Sequence, residues 1–158
     1  MTALAEIVMT EAAYGRMPPE KQVSKFMPEQ IRQTIADLVA CNQLATASAL
    51  VDAGLSLHPS SEDILSIGAL VAEIHQDWTR AKELLQALMK LQKGSSPPET
   101  WLHWIRVLRC QQENHAALRS AKQACSMFPD HAALHKEYVQ LMDMTKNPSE
   151  LEPVAQSQ

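Results

Sequence analysis

The sequence has few of the residues that make tight turns between β-strands. It contains only 4 glycines among 158 residues, and it has no Gly-Gly, Asn-Gly or Asp-Gly pair of the kind that favours a two-residue hairpin. Aromatic residues make up 4% of the chain. Alanine, leucine, glutamine, glutamate and methionine are abundant instead, and these residues stabilise helices. The composition therefore predicts an all-α protein.

The chain also lacks a basic excess, a cysteine framework and a long apolar run. Its formal net charge of -4 argues against nucleic acid as the principal partner. Cys41, Cys110 and Cys125 are too widely spaced for a zinc or redox motif, so we expect reduced thiols in the core. The uncharged run 38–51 is too short to span a membrane, and the N-terminus has no signal-peptide pattern. We therefore expect a cytoplasmic protein that does not insert into membranes.

A repeat of about 34 residues runs through the middle of the sequence. The segments 44–59 and 114–129 resemble each other, and each closes on a proline. Ala47, Ala81 and Ala117 mark the same point in three successive units. Each unit is predicted to contain two helices separated by a short polar turn.

Capping signals and apolar spacing divide the chain into helices. Pro28 suits the first position of a helix, and Ser60 with Asp63 approximates a capping box. Further caps are expected at Asp77, Asn114 and Asp130. The predicted helices are 3–14, 28–41, 44–57, 61–75, 78–92, 98–112, 115–127 and 131–144. Residues 1–27 are interpreted as an N-terminal helix and linker, 28–145 as the repeat domain, and 146–158 as a flexible tail.

The repeat resembles the tetratricopeptide repeat (TPR) over residues 28–131. The third unit matches the family pattern best, with Trp101, Trp104, Ala117 and Pro129 at the positions where the family places large residues, a small residue and a proline. The resemblance implies a right-handed superhelix of helical hairpins, with about three degenerate repeats and a capping helix at each end. It also implies that Trp101 and Trp104 lie in the core.

In TPR proteins, ligands commonly lie in a groove lined by the first helix of each repeat. Carried over position by position, the resemblance implies a groove with an apolar floor and an arginine rim. The residues expected to line it are Arg32, Ala36, Val39, Leu70, Ile74, Leu102, Arg106 and Arg109. An extended peptide or an amphipathic helix with acidic flanks would suit such a groove.

The expected function is a non-enzymatic scaffold or chaperone that binds a segment of another protein, without a cofactor. The size, acidity and degenerate repeats are similar to those of the chaperones of bacterial type III secretion. One alternative is a structural subunit or assembly factor that joins a larger complex through convex or end surfaces. Association of the chain into a homo-oligomer is a further expectation that the sequence leaves open.

A metal-dependent enzyme is the minor alternative. His131 and His135 are spaced to share one face of a helix, where Cys125 or Glu137 could supply a third ligand. Because two ligands make a weak signal, we expect exposed residues of a capping helix and no metal site.

Cys110 and His115 could resemble a nucleophile and a base. A turn separates them, however, and no acid is placed to orient the imidazole ring. The sequence also has no glycine-rich phosphate loop and no serine elbow. We therefore assign no catalytic residue and predict that the protein is not an enzyme.

Overall fold

The computed structural model describes residues 1–146, and these residues form nine α-helices and no β-strand. The helices are α1 (Ala3–Ala13), α2 (Glu20–Val23), α3 (Pro28–Ala40), α4 (Leu44–Leu57), α5 (Glu62–Ile74), α6 (Trp78–Leu91), α7 (Pro98–Cys110), α8 (Asn114–Met127) and α9 (Ala132–Lys146). The predicted all-α class is confirmed. No helix in this part of the chain is both long enough and apolar enough to cross a lipid bilayer. The predicted flexible tail, beyond Lys146, lies outside the described residues.

The chain divides into two compact units, Met1–Gly94 and the residues from Ser95 onward. In the first unit, α3 pairs with α4 and α5 pairs with α6, while α5 also packs against α3 and α4. Helix α1 lies against α3. In the second unit, α7 pairs with α8, and α9 packs mainly on α8. The domain division proposed from the sequence, with boundaries at residues 27 and 145, stays a prediction.

The alanines that mark the repeat lie between the paired helices. Ala47, Ala81 and Ala117 are fully buried, as their common position predicts. A small side chain there lets the two helices of a hairpin approach closely. Gly68 on α5 allows a close approach between neighbouring hairpins instead, because a Cβ atom on it would lie 2.8 Å from Cγ1 of Val51 on α4.

The turn inside each of the three hairpins contains a residue with a left-handed backbone. These residues are Asn42, Gln76 and Gln112, with φ values of 56°, 58° and 61°. The N–H of the next residue reaches back to close the helix end, as from Glu113 to the Leu108 carbonyl at 2.9 Å. The three turns therefore share one geometry although their sequences differ.

A short helix occupies the stretch that was expected to be a linker. Helix α2 ends at Val23, which is fully buried in the core of the first unit. That core also contains Leu4 and Val8 from α1 and Ile31 and Ile35 from α3. The linker interpretation was wrong for this segment because one buried side chain anchors it, and four residues are too few to show helical periodicity.

The predicted caps are correct in some places and shifted in others. Pro28 is the first residue of α3, and Oδ1 of Asp77 accepts a backbone N–H bond of 3.0 Å in the first turn of α6. Ser61, and not Ser60, caps α5 through a 3.3 Å bond to its hydroxyl oxygen. Asn114 is the first residue of α8 and does not cap it.

Candidate protein-binding surfaces

The eight residues predicted to line a groove are divided between the two units, so each set is described by itself. The first unit holds five of them. Arg32, Ala36 and Val39 lie on α3, and Leu70 and Ile74 lie on α5. Helices α3 and α5 pack against each other, so the five residues belong to two adjacent first helices.

Leu70 and Ile74 form an exposed apolar patch, which we call the α5 patch. Their relative exposures are 38% and 48%, although they belong to a helix whose Ile64, Leu65 and Ala69 are buried. The i and i+4 spacing places the two side chains on one side of α5. Two neighbouring apolar side chains that are partly open to water offer a partner a small apolar contact surface.

The α3 residues differ from one another in their surroundings. Val39 is partly buried and packs against the core of the first unit, and Ala36 is half-buried. The Nε atom of Arg32 lies 3.9 Å from Oδ1 of Asp63, which links α3 to α5. Because both side chains are more than a third exposed, this pair contributes little to stability.

The second unit holds the other three residues, and they line a cleft. We call it the α7–α9 cleft, and its volume is about 480 Å³. Its lining residues are Leu102, Arg106, Arg109, Cys110, Asn114, Glu137 and Met144. The cleft therefore combines two arginines and one glutamate with the apolar side chains of a leucine and a methionine.

An ion pair spans this cleft. Nη1 of Arg109 donates to Oε2 of Glu137 at 2.6 Å, and Nη2 lies 3.9 Å from the sulfur of Met144. The Arg109 and Glu137 side chains are 31% and 27% exposed. The guanidinium is thus held in place, while part of it stays open to solvent. The sequence named Arg109 but could not reveal its partner, which lies 28 positions along the chain.

A second cleft, between α4, α5 and α6, was not predicted. Its volume is about 300 Å³, and its polar lining includes Ser48, Asp52, His75 and Arg80. The Arg80 guanidinium lies 3.4 Å from Asp52 and 3.6 Å from Glu83. Only the Arg80–Glu83 spacing was visible in the sequence, because Asp52 belongs to the preceding hairpin.

The histidines of the metal alternative do not share a helical face. Helix α9 begins at Ala132, so His131 precedes it. Nε2 of His135 donates to the Pro129 carbonyl oxygen at 2.6 Å, and the Glu137 carboxylate is held by Arg109. Within residues 1–146 there is no group of three His, Cys, Asp or Glu side chains that could hold a metal ion.

The cysteines are not core residues, contrary to the expectation. Cys41 and Cys110 are exposed, and Cys125 is partly buried. Burial raises the pKa of the Cys125 thiol, which lowers the fraction present as reactive thiolate. His115 is exposed on α8, across the turn from Cys110. The core interpretation failed because all three lie on the outward sides or at the ends of their helices.

Comparison with known proteins relates this chain to others through its fold. No protein-family model matches the sequence, and no curated protein matches it either. Solved structures do match. YrrB, a TPR protein with an unusual peptide-binding site, superposes with a TM-score of 0.67 at 14% identity over 94% of this chain and 69% of its own.

Two further structures give the same result. The TPR domain of Sgt2 from Aspergillus fumigatus matches with a TM-score of 0.67 at 13% identity, over 83% of this chain and 87% of its own. MamA from Desulfovibrio magneticus RS-1 matches with a TM-score of 0.60 at 13% identity, over 99% of each chain. The predicted TPR-like fold is confirmed, and the chain carries it on a divergent sequence.

Proposed function

We propose that this chain is a non-enzymatic protein-binding module that holds a segment of another protein against the first helices of its hairpins. The observation that carries the proposal is the α5 patch, where Leu70 and Ile74 are exposed on an otherwise well-packed helix. Apolar side chains open to water on a rigid helix can bury a partner's apolar side chains at little cost in ordering.

The partner's chemistry follows from the two sets of residues. The α5 patch favours an apolar side chain of the partner, because burying it against Leu70 and Ile74 removes apolar surface from water. The α7–α9 cleft favours a carboxylate, because the Arg109 guanidinium that lines it is still partly open to solvent beside Glu137. A peptide or amphipathic helix with apolar and acidic residues carries the chemistry that suits each of these surfaces taken by itself.

The comparisons support this class of function without naming a partner. YrrB is a TPR protein with an unusual peptide-binding site, and its fold is similar to that of this chain. A chaperone role similar to that in type III secretion, and a cytoplasmic location, stay predictions from the sequence.

The test begins with three baits, namely the wild-type chain, Leu70→Asp and Leu91→Asp. Leu91 is the matched control, because it is also an exposed leucine of the first unit, at 36% against 38%. Proteins that co-purify with the wild type from the native host are identified by mass spectrometry. Titration calorimetry then measures the affinity of the purified partner for each variant.

We expect Leu70→Asp to weaken partner binding by about 100-fold or more, since it sets a carboxylate against an apolar ligand surface. Leu91→Asp should bind like the wild type. Arg106→Glu should weaken binding most at low salt, because salt screens exposed charges. If Leu70→Asp retains full affinity while circular dichroism shows it folded, the α5 patch is not the binding site and the proposal is wrong.

A further inference from the structure

Helix α9 repeats the register of α7 one repeat of 34 residues later. The corresponding residues are Trp101 and His135, Trp104 and Tyr138, Ile105 and Val139, and Leu108 and Met142. In α7 this row belongs to the hairpin interface, since Nε1 of Trp104 donates to Oγ of Ser120 on α8 at 3.1 Å. Ile105 in the same row is fully buried.

In α9 the same row is less well covered, since His135 and Val139 are exposed and Tyr138 and Met142 are half-buried. Val139 is 54% exposed, whereas Ile105 is 0% exposed at the equivalent position. The other row of α9 is packed, because Leu134 and Leu141 are fully buried. Helix α9 thus docks as the first helix of a repeat, but no helix within residues 1–146 covers it as a second helix would. We call this partly exposed row, His135, Tyr138, Val139 and Met142, the α9 stripe.

Within residues 1–146, the three hairpins supply no second helix for this stripe. The second helix of each hairpin already packs against its own first helix, since its alanine is buried inside that hairpin.

The charges beside the stripe indicate what covers it. Lys136 and Asp143 are both exposed and lie seven residues apart, or about two turns, on the same flank of α9. In an antiparallel pair of α9 helices related by a two-fold axis midway between Val139 and Gln140, Lys136 of each copy falls opposite Asp143 of the other. The arrangement therefore forms two identical pairs of opposite charge, and Lys146 falls opposite Ala133 and meets no like charge.

We propose that α9 packs antiparallel against α9 of a second copy of this chain, with the two-fold axis between Val139 and Gln140. Such an interface uses the same patch on both copies, so the stripe is its own complement. Two helices bury less than the roughly 1,200–2,000 Å² of a stable interface, so the dimer is weak, with a dissociation constant of about 10–100 μM. This contact does not involve the α5 patch and is independent of the proposed function.

Sedimentation equilibrium over a range of concentrations of the full chain tests the proposal. We expect a reversible monomer–dimer equilibrium for the wild type. Val139→Glu should raise the dissociation constant at least about tenfold, because it places two carboxylates close to the axis. Met127→Glu is the matched control, since Met127 is an exposed apolar residue of the same unit, and this variant should dimerise like the wild type.

A charge exchange tests the antiparallel pairing specifically. Lys136→Glu and Asp143→Lys should each weaken the dimer by about three- to tenfold, and the double variant should recover the wild-type affinity. If the chain stays monomeric at millimolar concentration, the proposal is wrong. The stripe would then be a contact site for another protein or for residues 147–158. A dimer that Val139→Glu does not weaken, or that the double charge exchange does not restore, overturns it as well.

Discussion

Arg109 and Glu137 join the first helix of the last hairpin to α9 through an ion pair in which Nη1 lies 2.6 Å from Oε2. Both side chains are less than a third exposed. The contribution of this pair to the free energy of unfolding should therefore be intermediate. An exposed ion pair contributes about 0.2–1 kcal/mol, and a hydrogen bond to a charged group contributes about 1.5–3 kcal/mol. Both residues line the α7–α9 cleft, so the arginine that joins the two helices is also one that the proposed ligand would meet.

We expect a coupling energy of about 1 kcal/mol between Arg109 and Glu137. A double-mutant cycle with Arg109→Gln and Glu137→Gln measures it, using urea unfolding followed by tryptophan fluorescence. The coupling should fall in 1 M salt, where charges are strongly screened. If the losses in unfolding free energy of the two single variants add up to the loss in the double variant, the coupling energy is zero and the pair contributes nothing.

Ala81→Leu and Ala117→Leu should each lower the free energy of unfolding by about 1–3 kcal/mol, because an extra isobutyl group has no room between the paired helices. Ala45→Leu provides the control, since Ala45 is exposed on α4 and the same change there leaves packing untouched. Chemical denaturation of the three variants measures the difference. Wild-type midpoints for both buried positions would place these alanines outside the hairpin interfaces.

Gln76→Gly and Gln112→Gly should stabilise the protein by about 0.5–1 kcal/mol each, because glycine adopts a left-handed backbone without the Cβ clash. Gln86→Gly is the matched control. Gln86 is exposed in the middle of α6, where glycine should instead cost about 0.5–1 kcal/mol. Melting temperatures of the three variants decide the question, and destabilisation at Gln76 and Gln112 would contradict the left-handed turns.

Cys125 should react with a disulfide reagent about three- to tenfold more slowly than Cys41 or Cys110 at pH 8, since burial raises its pKa and the thiolate is the reactive form. Because its pKa is raised, the reaction rate of Cys125 should continue to increase with pH above the usual pKa range of a cysteine thiol. Single-cysteine variants give the three rates separately. In denaturant the rates should become equal, and equal rates in the native protein would refute the expectation.

The hairpin architecture could be predicted from the sequence because it depends on local signals. The recurrence of Ala47, Ala81 and Ala117 fixed the repeat, and Asp77 and Pro28 located helix starts correctly. Helix α2 was missed because Pro18, Pro19 and Gly15 resemble loop signals, while its single buried residue, Val23, has no periodic neighbours.

The candidate site was less predictable because it depends on contacts between distant residues. Arg109 could be placed on a first helix, but its pairing with Glu137 requires α9 to pack beside α7. The left-handed Gln76 and Gln112 have no sequence signal either, since glutamine is not a residue that favours this conformation. Their geometry follows from their position in the repeat and not from their side chains.

The Trp104–Ser120 bond joins residues only 16 positions apart in the chain, and in each of the three hairpins a short turn connects the two helices. Closing a short loop costs little entropy, so such hairpins form early and quickly. Each helix pair in a repeat array contacts mainly its immediate neighbours. Its stability therefore depends mainly on its own packing and on those neighbours. Under a pulling force applied at its ends, the chain should lengthen in several small steps, each releasing one hairpin.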